Sequence, residues 1–338
     1  MSDDRGARHV TLAHGNGGRF MRELIEQVIA PGLASASLDV TLDAAVLGQT
    51  HEVLVATTDG FTVQPLDFPG GNIGSLAIHG TVNDLAVVGA EPRWLTVSFF
   101  IEEGLSMDSL ARYARSMGAA AAQAGAAIVA GDTKVLPRGQ GGGLYLAMTG
   151  VGVLSGGLKL GMRHIRPSDA VLVSGSVGDH GVAVLLARQD FGMKGELPSD
   201  CASVLPLARA LRGLDGVRFM RDPTRGGVAT VAHEIVAATG NGLTLNAAQL
   251  LVRPPVQAVC EMLGYDPYYL ASEGRIVAVV AEEQAEEACR RWRALPEGRD
   301  AAIVGAVTAG PPRVVLATEL GGQRLLEELE DDPLPRIC

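Results

Sequence analysis

The sequence has no CxxC pair, and its four cysteines, Cys201, Cys260, Cys289 and Cys338, stand far apart. That spacing excludes a zinc ribbon and a disulfide framework and reads as reduced thiols. Basic charge is also scarce. The chain carries 28 Lys and Arg against 38 Asp and Glu, a formal net charge of -10. Such a balance argues against nucleic acid and anionic membranes as partners. No apolar run reaches the length of a membrane span. The opening residues, MSDDRGARH, are polar and show no signal peptide, so a cytoplasmic location is expected. No fixed-period repeat or low-complexity tract is found. The usual nucleotide fingerprints are missing too. There is no GxxxxGKS or GxxxxGKT loop, and the nearest GxGxxG, starting at Gly150, has Ser155 in place of its last glycine.

What the chain has is glycine and apolar residues. Its 338 residues include 43 glycines and are 47% hydrophobic, enough for a real core and about two domains. A helix is predicted after the loop His14-Gly15-Asn16-Gly17-Gly18, with Phe20, Leu24, Ile25, Val28 and Ile29 on one stripe. Residues 52–58 read as a strand ending in Asp59-Gly60. Residues 73–88 read as a small-residue helix carrying Asn83-Asp84. A strand is predicted over 93–101. Ser106 can cap a helix over 107–124 that Gly125 stops. A strand over 126–130 runs into Gly131-Asp132-Thr133-Lys134, and another covers 144–154.

The character of the chain changes over 155–167. The second part predicts strands over 170–174, 275–281, 302–307 and 312–317. Its helices are expected over 181–188, 203–211 and 282–294, with Arg221–Gly227 opening another that runs to residue 238. The fold class is therefore α+β in two domains, 1–155 and 156–330, followed by a tail, 331–338. The acidic stretch 323–332 reads as a helix with Leu325, Leu326 and Leu329 on one face. Pro333 and Pro335 end it. The tail, DDPLPRIC, then carries a thiol on a semi-rigid arm that reaches roughly 20 Å from Asp332 to Cys338.

Four carboxylates are expected at or near the ends of elements or on an apolar helix: Asp59, Asp84, Asp132 and Asp222. Hard cations such as Mg²⁺ take oxygen ligands and bridge to phosphates through one or two carboxylates. Glycine neighbours let backbone N–H groups approach phosphate. Each carboxylate also has a plainer reading, as a turn residue, a solvated helix face or a helix cap. Asp84 resists it most, because its neighbours are almost all apolar or small. Lys134 can neutralise phosphate or hold a carbonyl oxygen. Glu273, between Ser272 and Gly274, is either a turn residue or a base. His14 shapes a loop or takes part in chemistry, and the other histidines show no metal-ligand spacing.

Six motifs, HGNGG at 14–18, TTDGF at 57–61, GTVNDLAVVGA at 80–90, GDTKV at 131–135, RDPTRGG at 221–227 and the terminal PRIC, together resemble the HypE family of nickel–iron hydrogenase maturation factors. The DG, ND and GD elements alone point only to the wider aminoimidazole ribonucleotide synthetase-like (PurM-like) superfamily; PRIC makes the resemblance specific. The resemblance implies a two-domain PurM-like fold. Its N-terminal α/β domain pairs strands across a homodimer, with the nucleotide in a cleft that the dimer helps to form. It implies that HypF uses carbamoyl phosphate and ATP to carbamoylate Cys338. ATP then drives dehydration of that group to a thiocyanate, and a HypC–HypD complex accepts the cyanide. Gly15, Asn16, Gly17, Gly18 and Asn83 are then expected at the nucleotide. Asp59, Asp84, Asp132 and Asp222 are expected to hold Mg²⁺–ATP, Lys134 the reacting oxygen, and Glu273 the proton. The competing readings are a small-molecule kinase or synthetase of the same superfamily, such as a selenophosphate synthetase or thiamine-phosphate kinase, and a non-catalytic nucleotide-binding scaffold.

Overall fold

The structure, a computed structural model, describes residues 18–24, 26, 41, 45–49, 52–154, 159–188 and 197–330. After helix α1 (Gly18–Leu24), the N-terminal half builds a five-stranded sheet. Its members are β1 (Ala45–Gln49), β2 (Val53–Phe61), β5 (Ala90–Glu102), β6 (Ala127–Leu136) and β7 (Leu144–Leu154), in the order β1-β2-β7-β5-β6. Two short strands, β3 (Asp67–Phe68) and β4 (Gly71–Asn72), form a separate ribbon. The pairing is antiparallel except between β5 and β6, where helix α3 (Met107–Ala124) makes the crossover that parallel strands need.

Helix α2 (Ile73–Val87) starts where the Asn72 side chain accepts the N–H groups of Gly74 and Ser75, while Ser75 Oγ accepts the N–H of Asn72. It is buried on nearly every side, between the sheet and the C-terminal half, which is why its sequence shows no polar face. Leu144, Leu146 and Met148 of β7 point into the core under α2 and α3, while the alternating Tyr145, Ala147 and Thr149 keep partial exposure on the other face. Gly125, with φ 72°, ends α3 as expected, but the hydroxyl of Ser106 makes no capping bond.

The C-terminal half builds a seven-stranded sheet from β8 (Ala170–Val173), β9 (Val217–Arg221), β10 (Gly242–Asn246), β11 (Val277–Val280), β12 (Ala302–Thr308), β13 (Val314–Ala317) and β14 (Gln323–Leu325). Their order is β14-β13-β10-β12-β8-β11-β9. Helices α4 (Asp179–Arg188), α5 (Leu205–Ala210), α6 (Gly227–Thr239), α7 (Pro254–Leu263) and α8 (Ala285–Arg293) complete it. Strands β8 and β11 are buried on both faces. Val171, Val173, Val277 and Val279 pack with Val228, Ala232 and Ile235 of α6. Leu172, Ala278 and Val280 share a core with Trp292 of α8 that continues into the N-terminal half through Leu76, Ile78 and Phe61. The halves are also joined by Glu91, which accepts from Arg209 Nε at 2.9 Å and pairs with Arg212.

Three expectations change. The strand at 52–58 continues through Phe61, and the strand at 126–130 continues to Leu136, so Asp59 and Asp132 lie inside strands and not at their ends. The helix expected over 323–332 is absent among the described residues. Residues 323–325 instead pair with β13, Val315 opposite Leu325, because that edge offers unpaired backbone groups. All three residues of β14 are exposed, and Leu326, just past its end, is buried with its N–H donating to Val314 O at 3.0 Å. Strands β9 and β10 and helix α7 were not anticipated. The expected helix beyond Leu24 falls largely outside the described residues.

Candidate active site

A cleft of about 450 Å³ opens between the two halves. Strand β2 lines it with Thr57, Thr58 and Asp59, α2 with Asp84, and the turn between β9 and α6 with Asp222, Thr224 and Arg225. A recess of about 40 Å³ shares Asp59, Asp84 and Asp222 with the cleft and adds Glu273. Four of the predicted residues therefore meet: Asp59, Asp84, Asp222 and Glu273. Asp222 and Glu273 are buried, and Asp59 and Asp84 half-buried. Thr57 Oγ1 donates to Asp84 Oδ2 at 2.7 Å and fixes that carboxylate's rotamer. A larger open hollow, about 1030 Å³ around Leu251 and Arg324, holds none of these residues.

Among the described residues no three acidic, His or Cys groups converge into a ready metal cage. Beside nucleotides Mg²⁺ is held by one or two carboxylates, with phosphate and water filling the remaining positions. The donor set of Asp59, Asp84 and Asp222, all oxygen, fits such an ion.

Asp132 and Lys134 are elsewhere. They project from β6, the outer strand of the first sheet, with Lys134 Nζ 3.9 Å from Asp132 Oδ2 and side chains 65% and 63% exposed. Asn83 is fully buried and its amide does not face the cleft. Nδ2 donates to Ala202 O at 3.1 Å and Glu273 O at 3.0 Å, and Oδ1 accepts from Val204 N–H at 2.8 Å. Its expected contact with nucleotide is corrected to a link between the two halves. Gly18 lines the cleft at the start of α1. Its φ of +73° and the approach of Leu329 O leave no room for a Cβ. His14, Gly15, Asn16, Gly17 and Cys338 lie outside the described residues. His79 and His180 are enclosed in protein, and burial pushes their pKa down to about 4 and about 3, which keeps both neutral.

Several contributors were not anticipated. Thr57 and Arg225 lay inside quoted motifs and were passed over in favour of their acidic neighbours. Asp200 had no signal in the sequence. It accepts the N–H of Glu273 at 3.1 Å, and burial pushes its carboxyl above the ordinary range against the pull of Arg275. The C-terminal segment also reaches the cleft. Tyr269 Oη donates to Glu327 O at 2.6 Å, and the N–H of Arg19 donates to Leu329 O at 2.7 Å. The Arg19 guanidinium pairs with Glu330 at 2.8 Å. Glu328, paired with Arg22, forms part of the cleft wall.

An interdomain cleft lined by carboxylates, between two mixed sheets of this topology, defines an AIR synthase related protein. Family models for the N-terminal and C-terminal domains of AIR synthase related proteins match residues 41–154 and 166–317. Within that class the chain belongs to the HypE family of carbamoyl dehydratases. It is 44% identical over 331 residues to the carbamoyl dehydratase HypE of Azotobacter vinelandii, covering 97% of each chain. Among solved structures, it resembles a HypE–HypF complex with TM-score 0.86 and 40% identity, covering 90% of this chain and 99% of that one. A HypE in complex with ATP gives TM-score 0.81 and 41% identity, covering 97% of this chain and 100% of that one. A thiamine monophosphate kinase from Aquifex aeolicus, at 18% identity and TM-score 0.66 over 90% of this chain and 99% of that one, shares the fold alone.

Proposed function

We propose that this chain uses ATP to dehydrate an S-carbamoyl group on its own Cys338 to a thiocyanate, the source of cyanide for nickel–iron hydrogenase maturation. The observation that carries this reading is the root of the tail. Glu328 lines the cleft and Glu330 is held on α1 beside it, so the last eight residues start at the mouth of the site. Extended, they reach ~26 Å, ample to bring the Cys338 sulfur to Glu273 and back out to a partner.

The chemistry asks for what the cleft holds. An amide oxygen leaves poorly and a phosphate leaves well. The carbamoyl oxygen attacks the γ-phosphorus of ATP, ADP departs, and one N–H proton is lost. Loss of the second N–H proton expels phosphate and leaves C≡N on the sulfur. Glu273, buried in the narrow recess, takes a proton from nitrogen. Asp59, Asp84 and Asp222 hold Mg²⁺, which when bound neutralises triphosphate charge. Gly15, Asn16, Gly17 and Gly18 offer backbone N–H groups to the phosphates. Burial of the recess keeps water from the activated group.

Asp132 and Lys134 belong to the same reaction through a second copy. β6 pairs only with β5 in its sheet, and Trp94, Ile128, Val129 and Val135 are exposed on β5 and β6, a surface suited to a homodimer. A second chain seated there brings its Lys134 to the carbamoyl oxygen and its Asp132 to the metal. HypF supplies the carbamoyl group, a HypC–HypD complex accepts the cyanide, and the work is cytoplasmic. We divide the chain into an ATP-binding and dimerising domain, 1–155, a second domain, 156–330, and a tail that carries the substrate cysteine, 331–338.

Intact-mass analysis of the C-terminal peptide tests the reading. After incubation with HypF, carbamoyl phosphate and Mg²⁺–ATP, Cys338 gains one carbamoyl group and then loses one water. An unmodified Cys338, with ATP consumed on an added small molecule, would place the chain with the kinases of its superfamily.

A further inference from the structure

Glu273 lies in the sequence Ala271-Ser272-Glu273-Gly274, which belongs to no helix or strand. A base on a free loop would be poorly aimed, yet most backbone groups of this loop are engaged. Ala271 O accepts the N–H of Gly181 at 3.1 Å, and Ser272 N–H donates to Pro223 O at 3.0 Å. Gly274 O accepts Arg275 Nη1 at 3.3 Å.

The two peptide units on either side of the Glu273 Cα are held from opposite halves of the molecule. On the amino side, Asp200 Oδ1 accepts the Glu273 N–H at 3.1 Å. On the carboxyl side, Asn83 Nδ2 donates to Glu273 O at 3.0 Å. Asp200 is itself fixed. Its side chain is 1% exposed, and its Oδ2 faces Arg275 Nε at 3.5 Å. Gly274 packs so closely on Asp200 O that no Cβ fits between them. Asn83 is fixed by two further bonds, to Ala202 O and from Val204 N–H. A buried carboxylate needs a reason to be buried, because burial opposes its charge. Here it anchors the loop that carries Glu273.

Asn83 is followed directly by Asp84. One step of α2 therefore faces the loop with one side chain and the cleft with the next. From this juxtaposition we propose that Asp200 and Asn83 are positioning residues. Together they set the direction of the Glu273 carboxylate and, through α2, its distance from the carboxylate of Asp84. The proposal rests on the reading of Glu273 as the base.

The test uses the full-length chain carbamoylated at Cys338 by HypF and follows single-turnover dehydration. Asp200→Ser shortens the side chain by one bond and so withdraws its oxygen from the Glu273 N–H, while Asp179, 3.6 Å from Arg275, keeps the guanidinium paired. Asp200→Asn restores one acceptor oxygen. D200S is expected to slow dehydration by about 10²-fold, the scale of a misplaced reacting group. ATP affinity should stay within about twofold, and D200N should recover at least about tenfold of the rate. A folded D200S chain that dehydrates at the wild-type rate, or whose loss lies wholly in ATP affinity, overturns the proposal. Should D200S fail to fold, hydrogen exchange on the wild-type chain decides. The Glu273 amide is expected to be protected like a core amide, and exchange at the rate of an open loop overturns the proposal. Glu273→Gln separates the two readings. If E273Q keeps wild-type dehydration, the base assignment fails and the proposal with it. If E273Q is inactive while D200S is unaffected, only the positioning fails.

Discussion

Asp84 and Asp132 occupy similar short motifs, Asn83-Asp84 and Gly131-Asp132, and the fold treats them in opposite ways. Asp84 is on a helix enclosed by both halves of the molecule, with Thr57 bonded to one oxygen and Asp59 and Asp222 on the same cavity. Asp132 is on the outermost strand of the first sheet, its side chain 63% exposed beside Lys134. The difference comes from what lies next to each in space. Around α2 the chain supplies a second layer; beyond β6 it supplies nothing among the described residues. One acidic cluster is enclosed by folding, and the other stands open at the edge of a sheet.

The sharpest way to break that contrast is at the cleft. Asp84→Asn keeps shape and removes charge, so the chain should fold and bind HypF while losing about 10³-fold or more in dehydration, the scale seen when a preorganised charge is removed from a reacting site. Single-turnover conversion of the carbamoylated chain measures it. Wild-type turnover by D84N would remove Asp84 from the site.

Lys134→Ala should cost about 10²-fold in the same assay. Mixing then decides whether the edge strand acts within one chain or between two. Copies of D84N and K134A, unfolded and refolded together, form mixed dimers in which one cleft meets an intact Lys134. Activity should return to about a quarter of wild type, from one good site in half of the dimers. No recovery on mixing would put Lys134 at the cleft of its own chain. Smaller still is Thr57→Val, which removes the bond to Asp84 Oδ2 and little volume. About a tenfold loss in Mg²⁺–ATP affinity, one hydrogen bond to a charged group, is expected by titration calorimetry.

The chain order of strands and helices was largely legible, because apolar runs and stop signals such as Gly125 act locally. The failures are where tertiary pairing decides. Leu325, Leu326 and Leu329 fit a helical face on paper, yet the open edge of β13 drew residues 323–325 into the sheet. Asp59, Asp84, Asp222 and Glu273 could be picked out as acidic residues beside glycine or inside apolar stretches, and they do meet. Asn83 was misjudged because sequence cannot say which way consecutive helical side chains face; a step of 100° sends one to the cleft and the other into the join between the halves. Asp200 was invisible, since a single buried carboxylate in the stretch Pro198-Ser199-Asp200-Cys201 looks like any loop residue.

The weakest perturbation tests whether the cleft is held open by its own chain. Glu91, at the start of β5, bridges to Arg209 and Arg212 on and just after α5. The bond from Arg209, and then that from Arg212, hold its carboxyl below the ordinary glutamate range against the cost of burial. A carboxyl whose pKa falls on folding stabilises the fold above its unfolded pKa, and that stabilisation is lost as the pH drops through the folded value. Glu91→Gln should therefore cost about 1 kcal/mol at neutral pH, the upper end for a partly exposed pair, or about 2 °C in melting temperature for a chain of this size. The deficit should close in acid, where the wild-type carboxyl is protonated as well. A deficit that persisted there would assign the loss to packing at the join and not to charge. If the melting point fell as expected while ATP affinity stayed constant, the shared core under α2 would be what keeps the cleft in shape, with Glu91 only reinforcing it.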